Sequence, residues 1–295
     1  MADSDLTQCA IALYDTFTHT HRDRRAFMRE LTMLAGSAAA ANALLATIGA
    51  DPAVAAIVAP GDPRIKAQEV SWQGSATDRM MKGYSARLAG PAIKRPAIMV
   101  IHENRGLNDH IRDITRRLAL AGYLAVAPDF LSAAGGTPAN EDSARDMIGK
   151  LDLTATVADA VATVNWLSRL SQSTGKVGTV GFCWGGAMVN RVATSAGDRL
   201  RAGVAYYGPA SDPARAASVK AALLLHYAGI DDRVNAGAPA WITALKAANV
   251  SVDAYTYAGV NHAFNNDTAV GRYDKAAADL AWGRTLGFFK SKLMI

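Results

Sequence analysis

Residues 177–188 read VGTVGFCWGGAM, and this stretch decides the fold. A short apolar run leads into Gly181-x-Cys183-x-Gly185, and a helix pattern of small residues follows. This spacing is typical of a sharp strand-to-helix turn that carries a nucleophile, here with cysteine in place of serine. Side chains at the two glycines would clash with the neighbouring strand and helix. The pattern predicts a reactive Cys183 at a helix N-terminus, which favours the thiolate; the alternative is an inert, buried cysteine in a tight turn.

Strand and helix patterns alternate on both sides of this turn. The apolar run at 97–101 has no polar alternation, which is typical of a strand buried on both faces. Repeated strand–helix–strand units predict an α/β fold with a mainly parallel, doubly wound sheet and helices on both faces. An antiparallel hairpin is expected at the edge, over 66–88. Further strands are expected at 123–127, 177–182, 202–207, 221–227 and 252–257, and helices at 108–121, 153–170, 185–195, 238–248 and 274–291.

The composition excludes several classes of protein. The chain has 295 residues, of which 50% are hydrophobic and 19% charged, so it can bury a large core and is not disordered as a whole. The net charge of +5 comes without a dense basic block or a nucleic-acid-binding module, so no nucleic-acid partner is expected. This mild charge is compatible with a small anionic substrate. Two cysteines cannot form a disulfide-stapled scaffold.

The first sixty residues differ from the rest of the chain. Residues 31–50 carry no charge and follow Arg24-Arg25, which resembles a twin-arginine export signal and would make the protein periplasmic. The other interpretation is an alanine-rich helical hairpin packed on the catalytic body, with a cytoplasmic protein. The stretch is too poor in Leu, Ile and Val to predict a stable membrane span. A Pro/Gly boundary predicts an N-terminal helical extension or signal region over 1–60 and a catalytic domain over 61–295.

A cysteine nucleophile needs a base and a group that orients the base. His262 lies in the loop after the last expected strand, where the base of such a fold arrives. Asp231 follows the strand at 221–227 and is the preferred acid, with Asp232 as the second choice. The chain order nucleophile, acid, histidine agrees with this assignment.

The loop after the strand at 97–101 begins His102-Glu103-Asn104-Arg105. In this architecture the loop supplies one backbone N–H of the oxyanion hole, so the N–H groups of Asn104 and Trp184 are the expected pair. Glu103 is expected near the thiol, where its carboxylate could hold the resting thiol or accept the thiol proton. The alternative is a surface glutamate paired with Arg105.

Four segments together resemble the dienelactone hydrolase (carboxymethylenebutenolidase) family over about residues 64–292. They are Gly-Phe-Cys-Trp-Gly-Gly, His-Glu-Asn-Arg-Gly-Leu, Tyr-Ala-Gly-Ile-Asp and Asn-His-Ala-Phe. The resemblance implies an α/β-hydrolase fold and a triad of Cys183, His262 and Asp231. It also implies that Glu103 interacts with the resting thiol until substrate displaces it toward the base role. The implied reaction is hydrolysis of small lactones or esters through an acyl-cysteine intermediate, without metal or cofactor.

The chain departs from the family pattern at Asn266, where the best-studied members carry an arginine shortly after the catalytic histidine. Loss of that guanidinium weakens carboxylate recognition, so dienelactone itself is left open as the substrate. The expected substrate-binding residues are Arg105, Arg145, Phe130 and Trp184. No cluster of Cys and His has metal-ligand spacing. A second interpretation remains, a non-catalytic small-molecule binding protein of the same fold with an inert Cys183.

Overall fold

An eight-stranded sheet forms the centre of the computed structural model, which describes residues 3–20, 22–49, 56–91 and 93–294. The strand order is β1-β2-β4-β3-β5-β6-β7-β8. β1 and β2 form the antiparallel edge, β2 pairs antiparallel with β4, and all later neighbours are parallel. The strands are β1 (Ile65–Gln73), β2 (Met80–Leu88), β3 (Arg95–Ile101), β4 (Leu124–Asp129), β5 (Ser173–Phe182), β6 (Leu200–Tyr206), β7 (Ala222–Ile230) and β8 (Val252–Asn261).

Helices cover both faces of the sheet, and each face has its own hydrophobic cluster. Successive side chains of β3 alternate between the faces: Ile98 and Val100 join one cluster, Met99 and Ile101 the other. This is why the strand reads as an uninterrupted apolar run. The helices after β3 are α4 (Asp109–Leu120), α5 (Glu141–Ile148), α6 (Leu153–Arg169), α7 (Trp184–Ala193), α8 (Asp232–Asn235), α9 (Ala238–Ala247) and α10 (Lys275–Leu293).

This arrangement confirms the expected mainly parallel α/β sheet with an antiparallel edge hairpin. The expected strands and helices all form, most with ends shifted by one to four residues. The α5 helix was not predicted, because it is only eight residues long and starts from a local cap: the Asn140 side chain accepts a hydrogen bond from the N–H of Ser143.

Three further helices form the N-terminal extension: α1 (Asp3–His19), α2 (Arg24–Ala35) and α3 (Ala38–Ile48). They share a hydrophobic cluster of their own, in which the rings of Phe17 and Phe27 stack at 4.4 Å. The extension is hydrogen-bonded to the body, since the Gly271 N–H donates to the carbonyl of Thr47 at 2.8 Å. No single helix in the described ranges has the length and apolarity of a membrane span, although α2 and α3, which meet at 107°, pass that test as a bent pair.

Candidate active site

Cys183 occupies the sharp turn between β5 and α7. Its backbone lies in a strained region, with φ 56° and ψ −115°, and its side chain is buried. A Cβ atom on Gly181 would come within 2.1 Å of the Gly185 carbonyl oxygen. A Cβ atom on Gly185 would come within 2.3 Å of the carbonyl oxygen of Ile101. The turn therefore holds the thiol only with glycine at both positions.

His262 and Asp231 meet from the loops after β8 and β7. The His262 Nδ1–H donates to Asp231 Oδ2 at 2.6 Å. This leaves Nε2 as the lone-pair nitrogen, and it lies within 4.8 Å of the Cys183 sulfur. Nε2 is buried and has no hydrogen-bond partner in the part of the chain that the structure describes. Asp232, the second choice for the acid, is exposed and is not the partner of His262.

The surroundings of His262 make its imidazole a stronger base. Burial alone would lower the pKa of its imidazole, but the negative charge of Cys183 and the hydrogen bond to Asp231 outweigh burial and raise the pKa above the usual range. The raised pKa makes Nε2 a strong acceptor for the thiol proton.

A second imidazole, which the sequence analysis did not find, also contacts the sulfur. His19 is the last residue of α1, and its Nε2 lies 3.1 Å from Cys183 Sγ. Its ring meets that of His262 edge to face at a centroid distance of 4.7 Å. Burial, followed by the charge of His262, lowers the pKa of His19 well below its usual value, so His19 is neutral. The two partners are 164 residues apart, and no local pattern distinguishes His19 from an ordinary helical residue.

Glu103 is buried, so its interpretation as a surface residue is wrong. Its carboxylate accepts hydrogen bonds from Asn266 Nδ2 at 2.8 Å and from the Tyr207 hydroxyl at 3.5 Å. The resemblance led us to expect Glu103 against the resting thiol. In the described part of the chain, however, the group within hydrogen-bond distance of the sulfur is Nε2 of His19, which can accept a hydrogen bond from the thiol because its Nδ1–H donates to the carbonyl of Asp15.

Both residues expected to form the oxyanion hole line a cavity that reaches Cys183. Trp184 is the first residue of α7, and N–H groups in the first turn of a helix have no partner within it. The Asn104 side chain donates to the Thr18 carbonyl oxygen of α1 at 2.9 Å, which fixes the loop after β3 against the extension.

The two arginines expected to bind substrate are engaged in other contacts. Arg105 is buried and donates to the Tyr14 hydroxyl at 2.8 Å and to Asp142 at 3.2 Å. Arg145 also bonds Asp142, and its guanidinium lies 4.1 Å from the ring centroid of Phe17. Both arginines therefore contact the N-terminal extension and share a carboxylate, although each still borders a cavity that includes Cys183.

The two aromatic residues expected at the pocket wall differ in position. Trp184 lines the cavity of about 810 Å³ that reaches Cys183. Phe130 does not line this cavity; it packs behind Trp184 with a ring-centroid distance of 5.8 Å, in the hydrophobic core. Its ring is buried in the core beside Trp184, so its expected contact with substrate stays a prediction.

The same cavity contains a cation that the sequence analysis missed. Arg191 on α7 is partly buried and lines the cavity together with Cys183. Within the described ranges its guanidinium has no carboxylate partner. Burial lowers its pKa. An unpaired, partly buried arginine favours an anion in the adjacent space.

Comparisons with known proteins agree with this geometry. The family model "Dienelactone hydrolase family" matches residues 81–293. A protein described as "Putative carboxymethylenebutenolidase" from Escherichia coli O157:H7 is 32% identical over 255 residues, covering 82% of this chain and 93% of its own. A protein with the same description from Saccharolobus solfataricus is 32% identical over 250 residues, which cover 70% of this chain and 93% of that protein.

Among solved structures, the "Putative Dienelactone Hydrolase" of Klebsiella pneumoniae subsp. pneumoniae superimposes with a TM-score of 0.69 at 28% identity. It covers 76% of this chain and 98% of its own. The helices α1–α3 lie outside the residues that the family model matches. The chain thus belongs to the dienelactone hydrolase family, a family of ester and lactone hydrolases with the α/β-hydrolase fold.

Proposed function

We propose that the protein hydrolyses small esters or lactones with Cys183 as nucleophile, through an acyl-cysteine intermediate. The observation that carries the proposal is the proximity of three groups. The Cys183 thiol lies in a strained turn, the imidazole of His262 comes within 4.8 Å of the sulfur, and Asp231 accepts from Nδ1 of that imidazole. This is the relation of nucleophile, base and orienting acid that covalent acyl transfer requires.

In the first half of the proposed reaction, the thiol proton passes to His262 Nε2 and the thiolate attacks the substrate carbonyl carbon. The N–H groups of Asn104 and Trp184 stabilise the negative charge that develops on the carbonyl oxygen. As the tetrahedral intermediate collapses, the carbon–oxygen bond to the leaving alkoxide breaks and His262 protonates that alkoxide. The acyl group is then bound to Cys183 as a thioester.

In the second half, His262 removes a proton from a water molecule, which attacks the thioester carbonyl. Collapse of this intermediate breaks the carbon–sulfur bond and releases the carboxylic acid, and the proton on His262 returns to the sulfur. Glu103 lines the same small cavity as Cys183, and we assign it the role of a second group that can accept the thiol proton. Asn266, which stands where the best-studied members of the family carry an arginine, donates to the carboxylate of Glu103.

The position of Arg191 in the cavity favours a substrate that carries a negative charge. Arg105 and Arg145 are already ion-paired with Asp142, whereas Arg191 has no carboxylate partner within the described ranges and lines the cavity that reaches Cys183. Its guanidinium is therefore our choice of anchor for a substrate carboxylate. We expect Arg191→Ala to raise KM for a carboxylate-bearing lactone about tenfold or more. The same change should leave KM for an uncharged aryl ester nearly unaltered. An equal effect on both substrates would contradict this role.

Steady-state hydrolysis of an activated aryl ester tests the proposal. Cys183→Ala should abolish turnover, and Cys9→Ser, which removes an exposed thiol on α1, should not change it. An active Cys183→Ala protein refutes the cysteine mechanism. If no ester or lactone is hydrolysed and Cys183 reacts slowly with iodoacetamide whether or not His262 is present, the protein is a binding protein with an inert thiol.

We further propose that the N-terminal extension stays on the catalytic body in the working protein. The ion pair between Arg24 and Asp142 and the contact of His19 with Cys183 support this over a cleaved export signal. Determination of the N-terminal sequence of the protein from its native host tests the proposal. A mature chain that starts near residue 60 would show export and cleavage instead.

A further inference from the structure

We infer that His19, Cys183 and His262 form a binding site for a borderline-soft divalent metal ion of the Zn²⁺ class, and that the bound ion switches the hydrolase off. The inference goes beyond the proposed function, because the donor set exists whether or not Cys183 is a nucleophile. It joins the N-terminal extension, which supplies His19, to the catalytic body, which supplies the other two ligands.

The three donor atoms have nearly the spacing that such an ion needs. Typical bonds from Zn²⁺ are about 2.3 Å to sulfur and 2.0–2.1 Å to imidazole nitrogen, which places the donors of a tetrahedral site roughly 3.3–3.6 Å apart. His19 Nε2 is 3.1 Å from Cys183 Sγ, and all three donor atoms lie within 4.8 Å of one another. Side-chain shifts of about 1 Å therefore suffice to close the site.

Both imidazoles are held in the tautomer that a metal ligand requires. His19 Nδ1 lies 2.8 Å from the backbone carbonyl oxygen of Asp15, which can only accept, so Nδ1 carries the hydrogen. His262 Nδ1 donates to Asp231 in the same way. In metal sites, histidine ligands almost always donate their other N–H to a carboxylate or backbone carbonyl. Each Nε2 is left with its lone pair toward the sulfur.

The hydrogen bonding at the sulfur is incomplete without a cation. A thiol carries one proton and satisfies one nitrogen, which here is Nε2 of His19. Nε2 of His262 is buried and unpartnered within the described residues. A buried nitrogen without a partner is costly. A metal ion bound to the sulfur satisfies both nitrogens at once and displaces the thiol proton into the solvent.

The surrounding charges suit a divalent cation bound to a thiolate. The carboxylate of Asp231 contacts His262, and Glu103 lines the same small cavity, so two acids add to the charge of the thiolate. Arg272 also lines this cavity, but its guanidinium donates to the carboxylate of Asp15 at 3.4 Å. One thiolate and two imidazoles favour Zn²⁺ or Co²⁺ over the oxygen-seeking Mg²⁺ and Ca²⁺.

Binding at this site would block catalysis by the triad. The metal would occupy the sulfur lone pair that attacks the carbonyl and the Nε2 lone pair that accepts the proton. Three protein ligands would leave the fourth coordination position open to water or to an anion.

Cobalt titration of the full chain, reduced and stripped with a chelator, tests the inference directly. Wild type and Cys9→Ser should bind one Co²⁺ per chain and develop thiolate-to-cobalt charge-transfer absorption. Cys183→Ser should lose this absorption, and His19→Ala should bind Co²⁺ at least tenfold more weakly. Zn²⁺ should bleach the cobalt spectrum and should raise the unfolding temperature of wild type more than that of His19→Ala.

Absence of the charge-transfer absorption in wild type overturns the inference, as does wild-type affinity in a His19→Ala protein that has kept its native circular dichroism. The chelator-treated enzyme provides a separate readout for the proposed function. If it fails to hydrolyse any ester while cobalt still binds through Cys183, the hydrolase mechanism is wrong and the metal site stands. If it hydrolyses esters and no cobalt binds, the metal site is wrong and the hydrolase mechanism stands.

Discussion

At the turn that carries Cys183, one methyl group is enough to disturb the site. A Cβ atom on Gly181 would meet the backbone of Gly185 at 2.1 Å, and backbone cannot move aside as a flexible side chain can. We therefore expect Gly181→Ala to destabilise the protein by about 1–3 kcal/mol and to abolish hydrolysis.

Gly283 is the matched control for this change. It lies within α10, where an added Cβ would meet nothing within 4 Å. Gly283→Ala should stabilise the protein by about 0.5–1 kcal/mol, as expected for alanine in a helix interior. Urea unfolding of both variants tests the pair, and equal effects would show that the tight turn is not the cause.

Two adjacent acids, Asp231 and Asp232, differ in their contact with His262. Asp231 binds His262 Nδ1 at 2.6 Å, whereas Asp232 is exposed. Asp231→Asn should lower kcat about 10³–10⁴-fold, because it no longer holds the productive tautomer of the imidazole. Asp232→Asn should change kcat by less than about threefold. The assignment fails if the second change is the more harmful one.

At the scale of elements, α1 covers the sulfur of Cys183 through His19. Phe17 anchors α1, since its ring stacks on Phe27 and lies under the guanidinium of Arg145. Phe17→Ala should lower the free energy of unfolding of the N-terminal extension by about 3–5 kcal/mol. The resulting opening should make Cys183 react faster with iodoacetamide. Met33→Ala on α2, where the side chain is 76% exposed, should leave the rate unchanged. An unchanged rate in Phe17→Ala would show that α1 does not control access.

The elements and the contacts around Cys183 were predictable to different extents. Strands such as β3 follow from their apolar runs, and the positions of Asp231 and His262 follow from the loops after β7 and β8. The contact of His19 with the sulfur could not be predicted, because it depends on how α1 docks on the body. Docking of one element on another depends on tertiary packing and has no local sequence pattern.

The ion pairing of the arginines could not be predicted from the sequence either. Arg145 was expected to bind substrate because of its sequence position, but its charge is used by Asp142 and Asp146. Arg191 looked like an ordinary helical residue, and the fold brings it to the cavity, where it has no carboxylate partner among the described residues. Which arginine is paired is a property of the three-dimensional arrangement.

At the scale of the whole molecule, a buried histidine links stability to pH. His226 is fully buried in β7, between Thr285 and Tyr257, and burial, assisted by the charge of Arg284, lowers its pKa to about 3. The unfolded chain takes up a proton on this residue below about pH 6.5, whereas the folded chain does not until about pH 3. Stability from this source is therefore complete above pH 6.5 and is lost as the pH falls from 6.5 toward 3.

Urea unfolding at pH 7 and pH 4.5 measures this effect. The free energy of unfolding should fall between the two values, and should fall less in His226→Gln, which keeps polar atoms in the same place but does not titrate. The comparison uses the difference between the two pH values, so a lower stability of the variant at pH 7 does not affect it. An identical difference in both proteins would contradict the assignment to His226.

At the scale of the whole enzyme, the proposed mechanism places an acyl group on the sulfur of Cys183 during turnover. Acid quenching during turnover of a slowly hydrolysed aryl ester, followed by mass spectrometry of the intact chain and its peptides, tests it most directly. We predict a mass increase equal to the acyl group, located on the peptide that contains Cys183 and absent in Cys183→Ala. An acyl group on another residue, or continued hydrolysis by Cys183→Ala, would contradict the account.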